Sequence, residues 1–261
     1  MHSSSSFPMV RSFVIVLGIM LISCGEDEIT PINHDGETSS DAISDENGRR
    51  KLKELLSSFW YNDRIYDFSY DEAGRIENIT ATENGTILYT YVPHYNGDQL
   101  ISSDLVEGGM VMSSNTHFLF DKKGNIISYD YLSYFFPEYP DGIAFPYSLA
   151  YDKKGNISRM TDNSILLYDN KRNAIQWGDR QFTFDTKKLN PFYVYDNLWL
   201  VFVEEPFYAE LMLNPNIMTS QTFPNGVITI YENVYDNDGR LITRISKVNG
   251  SVIETMQFTY K

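Results

Sequence analysis

The residues able to do chemistry are few, and their spacing suits it poorly. Cys24 is the single cysteine of the 261-residue chain, which excludes an internal disulfide and any cysteine metal cluster. Beyond residue 48 there are two histidines, His94 beside Pro93 and His117 before Phe118. Neither has a second histidine or a carboxylate at ligand spacing, so no metal and no cofactor is expected. Glu204-Glu205 pairs two acids, but a glycosidase needs carboxylates that converge on a substrate from two sides, and sequence neighbours rarely do so. Asp236-Asn237-Asp238-Gly239 has the opening letters of a calcium loop without the third acid before the glycine or the distal glutamate. No Gly-x-Ser-x-Gly elbow, P-loop or dinucleotide fingerprint occurs. What remains is aromatic: 19 Tyr, 16 Phe and 3 Trp. Most belong in a core, but Trp199 and the tyrosine-rich stretch that holds Tyr134 and Tyr139 could line a concavity for sugar or lipid.

The Asp236 frame has another origin, because it recurs. Tyr235-Asp236-Asn237-Asp238-Gly239-Arg240-Leu241 has counterparts in Tyr70-Asp71-Glu72-Ala73-Gly74-Arg75-Ile76, Phe120-Asp121-Lys122-Lys123-Gly124-Asn125-Ile126 and Tyr151-Asp152-Lys153-Lys154-Gly155-Asn156-Ile157. A further copy at Asp169 carries Arg172 in place of glycine, and Phe184-Asp185 opens a decayed one with Leu189 at the end of its frame. Asp at the first turn position accepts backbone amides two or more residues on, and glycine at the fourth takes the left-handed conformation that closes a bulged hairpin. Large residues two apart precede each turn (Phe68 and Tyr70, Leu149 and Tyr151), which is the strand period. The copies are 50, 31, 17, 16 and 51 residues apart, all multiples of a hairpin-sized unit. Asn84-Gly85, Asn96-Gly97, Asn225-Gly226 and Asn249-Gly250 supply further hairpin turns. The expected fold is therefore mainly all-β: one long antiparallel meander forming a curved sheet or partly closed barrel.

The front of the chain reads as an address. Arg11 precedes an apolar run, Phe13 to Ile22, too short to span a bilayer comfortably. Leu21-Ile22-Ser23-Cys24 resembles the bacterial lipobox, which implies cleavage after residue 23 and lipidation of Cys24. Several acyl chains give a durable membrane anchor. The acids that follow, Gly25-Glu26-Asp27-Glu28, resemble the export signal of Bacteroidota surface lipoproteins; that resemblance implies the outer membrane and exposure at the cell surface. Residues 24–48 hold eight acids and no Lys or Arg, the composition of a self-repelling disordered tether.

Residues 49–261 remain for a single β domain, with 27 acids against 20 bases. It has no basic patch interleaved with aromatics, so nucleic acid is not expected as a partner. Leu52, Leu55, Leu56 and Phe59 recur at helical spacing and predict a short amphipathic helix over 49–59. From Leu189 to Asn216 the chain is apolar without alternation and broken by Pro206 and Pro215, which predicts short helical pieces packed against the sheet, plugging its concave side.

The aromatic-Asp-x-x-Gly units resemble YD repeats, the hairpin units of bacterial cell-surface proteins whose large members wrap a hollow β-shell. Together with the lipobox, the tether and the Asn190-Pro191-Phe192 … Asn214-Pro215 insertion, they resemble an uncharacterised Bacteroidota lipoprotein family described as having a porin-like fold. That resemblance brings no catalytic residues. A membrane-spanning strand needs about nine to eleven residues with an apolar outer face, and these strands read as mostly shorter and charged, as in Arg75-Ile76-Glu77. The function expected is a non-catalytic, lipid-anchored surface protein binding a glycan or protein; the alternatives are a polysaccharide hydrolase and a hydrophobic-ligand carrier with an open barrel.

Overall fold

The computed structural model describes residues 55–135, 139–161, 164–193, 195, 197–202 and 212–261, all within one compact unit, Gly48–Lys261. The signal segment 1–23, Cys24, the tether, residues 49–54 and Glu204-Glu205 lie outside the described residues.

Sixteen strands follow one another along the chain: β1 Leu56–Tyr61, β2 Arg64–Tyr70, β3 Ile76–Glu83, β4 Thr86–Asn96, β5 Gln99–Glu107, β6 Met110–Phe120, β7 Ile126–Ser133 and β8 Ile143–Tyr151, then β9 Ile157–Met160, β10 Leu166–Tyr168, β11 Ala174–Trp177, β12 Arg180–Leu189, β13 Asn216–Thr222, β14 Ile228–Tyr235, β15 Leu241–Val248 and β16 Ser251–Tyr260. Each pairs antiparallel with its sequence neighbours, and β1 pairs β16, so the meander curls round on itself. Only β9 and β10 do not form a ladder. Between them run a single bridge, Arg159 to Ile165, and the bond from the Met160 amide to the Ser164 carbonyl (3.2 Å). The result is a nearly closed barrel with one unsealed seam.

One expectation needs correction. The part of the predicted N-terminal helix that is described, Leu56 to Phe59, is strand β1. It fills the gap between β16 and β2, and without it both would expose unpaired edges; that pairing outweighs the helical spacing of its leucines. Most of the strands are shorter than nine residues, as expected; the longer ones are β4 and β6 at 11 residues, β12 and β16 at 10, and β5 and β8 at 9. Their outward faces are mixed: Ile101, Phe145, Tyr147 and Ile230 are exposed, while His94 meets Asp104 at 2.8 Å, His117 meets Asp130 at 3.0 Å and Lys247 meets Glu232 at 2.6 Å.

An up-and-down meander sends alternate connections to opposite ends. The five Asp turns (71, 121, 152, 169 and 236) therefore share one end, while the Asn84-Gly85 and Asn249-Gly250 turns lie at the other. Each Asp turn is built alike. In the turn at Asp152, Oδ1 accepts the amides of Lys154 (2.8 Å) and Asn156 (2.9 Å), and Oδ2 accepts Nδ2 of Asn156 (2.8 Å). Asn125 and Asn173 repeat this with their own aspartates, and Arg75 and Arg240 substitute Nε for the amide. The Arg or Asn after the glycine is thus the second half of the turn. Gly155 adopts φ 82°, and Arg172 adopts φ 68° at the matching position, so the copy without glycine keeps the turn. Holding an L-residue there costs about 1–2 kcal/mol.

The tyrosines link one hairpin to the next. The Tyr151 hydroxyl donates to the Ile126 carbonyl (2.7 Å), Tyr168 to Ile157 (2.8 Å), Tyr260 to Leu241 (2.8 Å) and Tyr70 to Leu56 (2.6 Å). Each bond lies where the backbone ladder between the two strands runs out. The Tyr168 bond crosses the unsealed seam, so a side chain completes there what backbone pairing does not.

From the Asp-turn end the described residues of the segment between β12 and β13, among them Phe192, Leu198, Leu200 and Phe202, enter the interior and join its core. The segment's neck is an interlock of amides: Asn190 Nδ2 donates to the Asn214 carbonyl (2.8 Å), Asn214 Oδ1 accepts the Ala174 amide (2.6 Å) and Asn173 Nδ2 donates to Asn216 Oδ1 (3.0 Å). Beyond the neck, a single helical turn, α1 (Leu198–Val201), sinks Leu198, Leu200 and Val201 into the barrel. Ser103 Oγ and Asn115 Nδ2 both donate to the Leu200 carbonyl, at 2.6 and 2.8 Å, satisfying an acceptor that α1 is too short to pair itself. The Phe202 ring centre lies 4.9 Å from Tyr91, and Phe192 stands edge-on to Phe59 at 5.4 Å.

Candidate functional site

Three neighbouring Asp turns, 121–125, 152–156 and 169–173, overhang the inserted segment. Between them is a cleft of about 340 Å³, inside the size range of small-molecule sites. Five rings among the described residues border it, Tyr151, Tyr168, Tyr193, Tyr195 and Trp199, with the amides of Asn125 and Asn156 between them. Trp199 is placed by α1: its neighbours Leu198 and Leu200 are buried in the barrel, which leaves the indole on the cleft side, edge-on to Tyr129 at 6.2 Å. Tyr193 is 38% exposed and is the most accessible of the rings there. Asn197, at left-handed φ 57°, starts the turn that carries Trp199 and lines the cleft as well.

The electrostatics are unusual for an acidic chain. Among the described residues lining this cleft there is no carboxylate, and the one charged group is Arg172. Arg172 Nε donates to Asn156 Oδ1 (2.9 Å), and Asn156 is in turn held by Asp152, so the guanidinium is oriented through two successive side chains. Burial, then the neighbouring Asp121 carboxylate, pushes the Tyr151 phenol up to about 12. Burial, then Asp152, raises Tyr168 as well. Both hydroxyls therefore stay protonated, donating to carbonyls while keeping lone pairs for a ligand.

A second groove, of about 610 Å³, follows the seam and is lined by Asp152, Asp169, Lys153, Lys154, Arg159 and Tyr168. Both carboxylates among its described residues are committed to their own turns through both oxygens. Burial works against the ionised form of Asp152, but the Asn156 backbone and side-chain donors and the Lys154 amide outweigh it and hold its pKa below the usual carboxylate range. A general acid needs the opposite shift. Among the described residues no group of three His, Cys, Asp or Glu could hold a metal ion.

Of the residues singled out as possible ligand contacts, Trp199 lies in the cleft. Tyr134 and Tyr139 do not: they belong to the β7–β8 connection at the opposite end, where Tyr134 packs beside Gly142. Asp71, Asp121, Asp152, Asp169 and Asp236 head turns, and Gly74, Gly124, Gly155 and Gly239 all adopt positive φ. Sequence reasoning passed over Arg172, Asn156 and Tyr193. The signal for Arg172 was present, since it replaces the one residue that the frame most needs.

No family model matches the chain, and no curated relative does. Among solved structures it is similar to a porin-like protein from Bacteroides uniformis, at 14% identity and TM-score 0.49, covering 80% of this chain and 98% of that one. It is also similar to a porin-like protein from Bacteroides vulgatus, at 11% identity and TM-score 0.39, covering 79% and 99%. A Photorhabdus luminescens Tc holotoxin pore matches at 12% identity and TM-score 0.27, with 76% of this chain covering 8% of that one. Both Bacteroides proteins are described as porin-like; at these scores the likenesses carry no argument for activity, and the fold rests on the strand topology above.

Proposed function

We propose that this chain is a non-catalytic glycan-binding protein, displayed on the outer membrane by a lipid on Cys24. The observation that carries the reading is the cleft at the Asp-turn end. Flat rings that pack against the C–H faces of a sugar alternate there with amides that take its hydroxyls, at the mouth of a barrel whose interior is occupied. The filled interior disfavours a carrier for hydrophobic ligands. The groove with two carboxylates is the observation behind the hydrolase alternative, and the commitment of both acids to their turns speaks against it.

The test is calorimetric titration of the full chain against an oligosaccharide panel, with product analysis of each mixture. Binding without turnover, weakened about tenfold by Tyr193→Ala, is the expected result. Cleavage of any bound oligosaccharide would overturn the non-catalytic part, and a panel with no binder would overturn the glycan part. For the anchor, Cys24→Ser is expected to move the protein from the membrane fraction to the soluble one.

A further inference from the structure

We infer that the cleft takes an acidic saccharide, one bearing a carboxylate such as a hexuronic or sialic acid unit, and that Arg172 receives the carboxylate. The inference rests on the glycan reading and goes further by naming the charge of the ligand. It stands on three independent observations.

The first is the charge of the lining. Residues 49–261 carry 27 acids and 20 bases, yet among the described residues the cleft is lined by no acid and one base. The nearby Asp121 and Asp152 carboxylates stand behind the described lining, tied to the donors of their own turns.

The second is backbone geometry. Arg172 occupies the turn position at which Gly74, Gly124, Gly155 and Gly239 stand in the other copies, and it takes the same left-handed conformation, φ 68°. The turn bonds persist: the Asp169 amide donates to the Asn173 carbonyl at 3.0 Å and the Arg172 amide to the Asp169 carbonyl at 3.3 Å. Glycine would satisfy this turn without strain, so the arginine is maintained against a local conformational cost, and such costs concentrate at functional positions.

The third is orientation. The Nε bond to Asn156 Oδ1 fixes one edge of the guanidinium, and no carboxylate among the described residues pairs with its terminal nitrogens. A fork fixed on one side and open on the other suits a planar carboxylate, which it can take with parallel N–H···O bonds. Trp199 and Tyr193 border the same space and are available to the pyranose ring that carries the acid.

The experiment titrates the full chain with uronic-acid oligosaccharides, their methyl esters and the neutral oligosaccharides of the same linkage. The acid is expected to bind about tenfold or more tighter than its ester, a margin that shrinks as salt is raised. Arg172→Gly, which gives the turn the residue its other copies use, is expected to fold with an unchanged circular dichroism spectrum and to bring acid and ester to equal affinity. Arg172→Lys is expected to keep part of the preference. Equal affinity of acid and ester for the unaltered chain, or a preference that survives in Arg172→Gly, would overturn the inference. Neutral oligosaccharides binding as well as acidic ones would overturn it while leaving the glycan reading in place, whereas no binding by any member of the panel would remove both.

Discussion

Replacing Asp152 by alanine tests the turn logic and its reach into the cleft together. The substitution removes three hydrogen bonds, to the Lys154 amide and to the backbone and side-chain nitrogens of Asn156. The Lys154 amide sits on an exposed turn and finds water, so its loss costs about 0.5 kcal/mol. Asn156 is buried, at 6% exposure, and each of its two donors left without a partner costs about 1 kcal/mol or slightly more. The total is about 2–3 kcal/mol, which lowers a urea midpoint by about 1 M at an m-value of about 2–3 kcal/mol/M. Asp152→Asn should fall between: it keeps the Oδ1 acceptor but sets a second NH₂ against Nδ2 of Asn156. The pH dependence has a definite sign. The Asp152 pKa is lower folded than unfolded, so its contribution is complete above the unfolded value near 3.8 and is lost as pH falls through the folded one. The gap between unaltered and alanine chains should be full at pH 7 and close at still lower pH. Urea unfolding followed by tryptophan fluorescence at pH 7 and in strong acid measures it. A cost below about 0.5 kcal/mol at pH 7, or a gap of equal size in acid, would refute the reasoning.

Tyr168→Phe deletes the hydroxyl that crosses the seam to Ile157. It should cost about 1 kcal/mol globally but sharply raise amide hydrogen exchange in β9 and β10, with β2 to β6 unchanged. Phe202→Ala empties the centre of the barrel beside Tyr91, Phe59 and Tyr66, and a loss of about 3–5 kcal/mol is expected in chemical unfolding.

Much of the scaffold could be read from local chemistry. An Asp turn needs only residues within five positions of one another, so Asp71, Asp121, Asp152, Asp169 and Asp236 announce themselves. The same backbone bonds recur at Phe223, where the Phe223 amide donates to the Val227 carbonyl and the Gly226 amide to the Phe223 carbonyl, both at 2.9 Å. That copy has no aspartate, and its Asn225-Gly226 reads locally as an ordinary hairpin turn. The β1 strand was misread because its leucines satisfy two periods, and partners some 200 residues apart in sequence decide between them, as in the pairing of Phe59 with Phe258. Why tyrosine precedes the aspartate was also hidden, since its bond goes to the neighbouring hairpin: Tyr151 reaches Ile126.

The sequence by itself determined the repeating unit, its strand period and the segment that would depart from it, because turns and alternation depend on neighbours along the chain. Only the tertiary structure decided that β1 and β16 meet, that the seam falls between β9 and β10, and that Asn156, Arg172 and Trp199 surround one space. The closing strands join residues about 200 positions apart, and the cleft gathers residues 16 to 43 positions apart. Both are set by how many hairpins curl before the ends join and by what fills the interior, and no local preference encodes either.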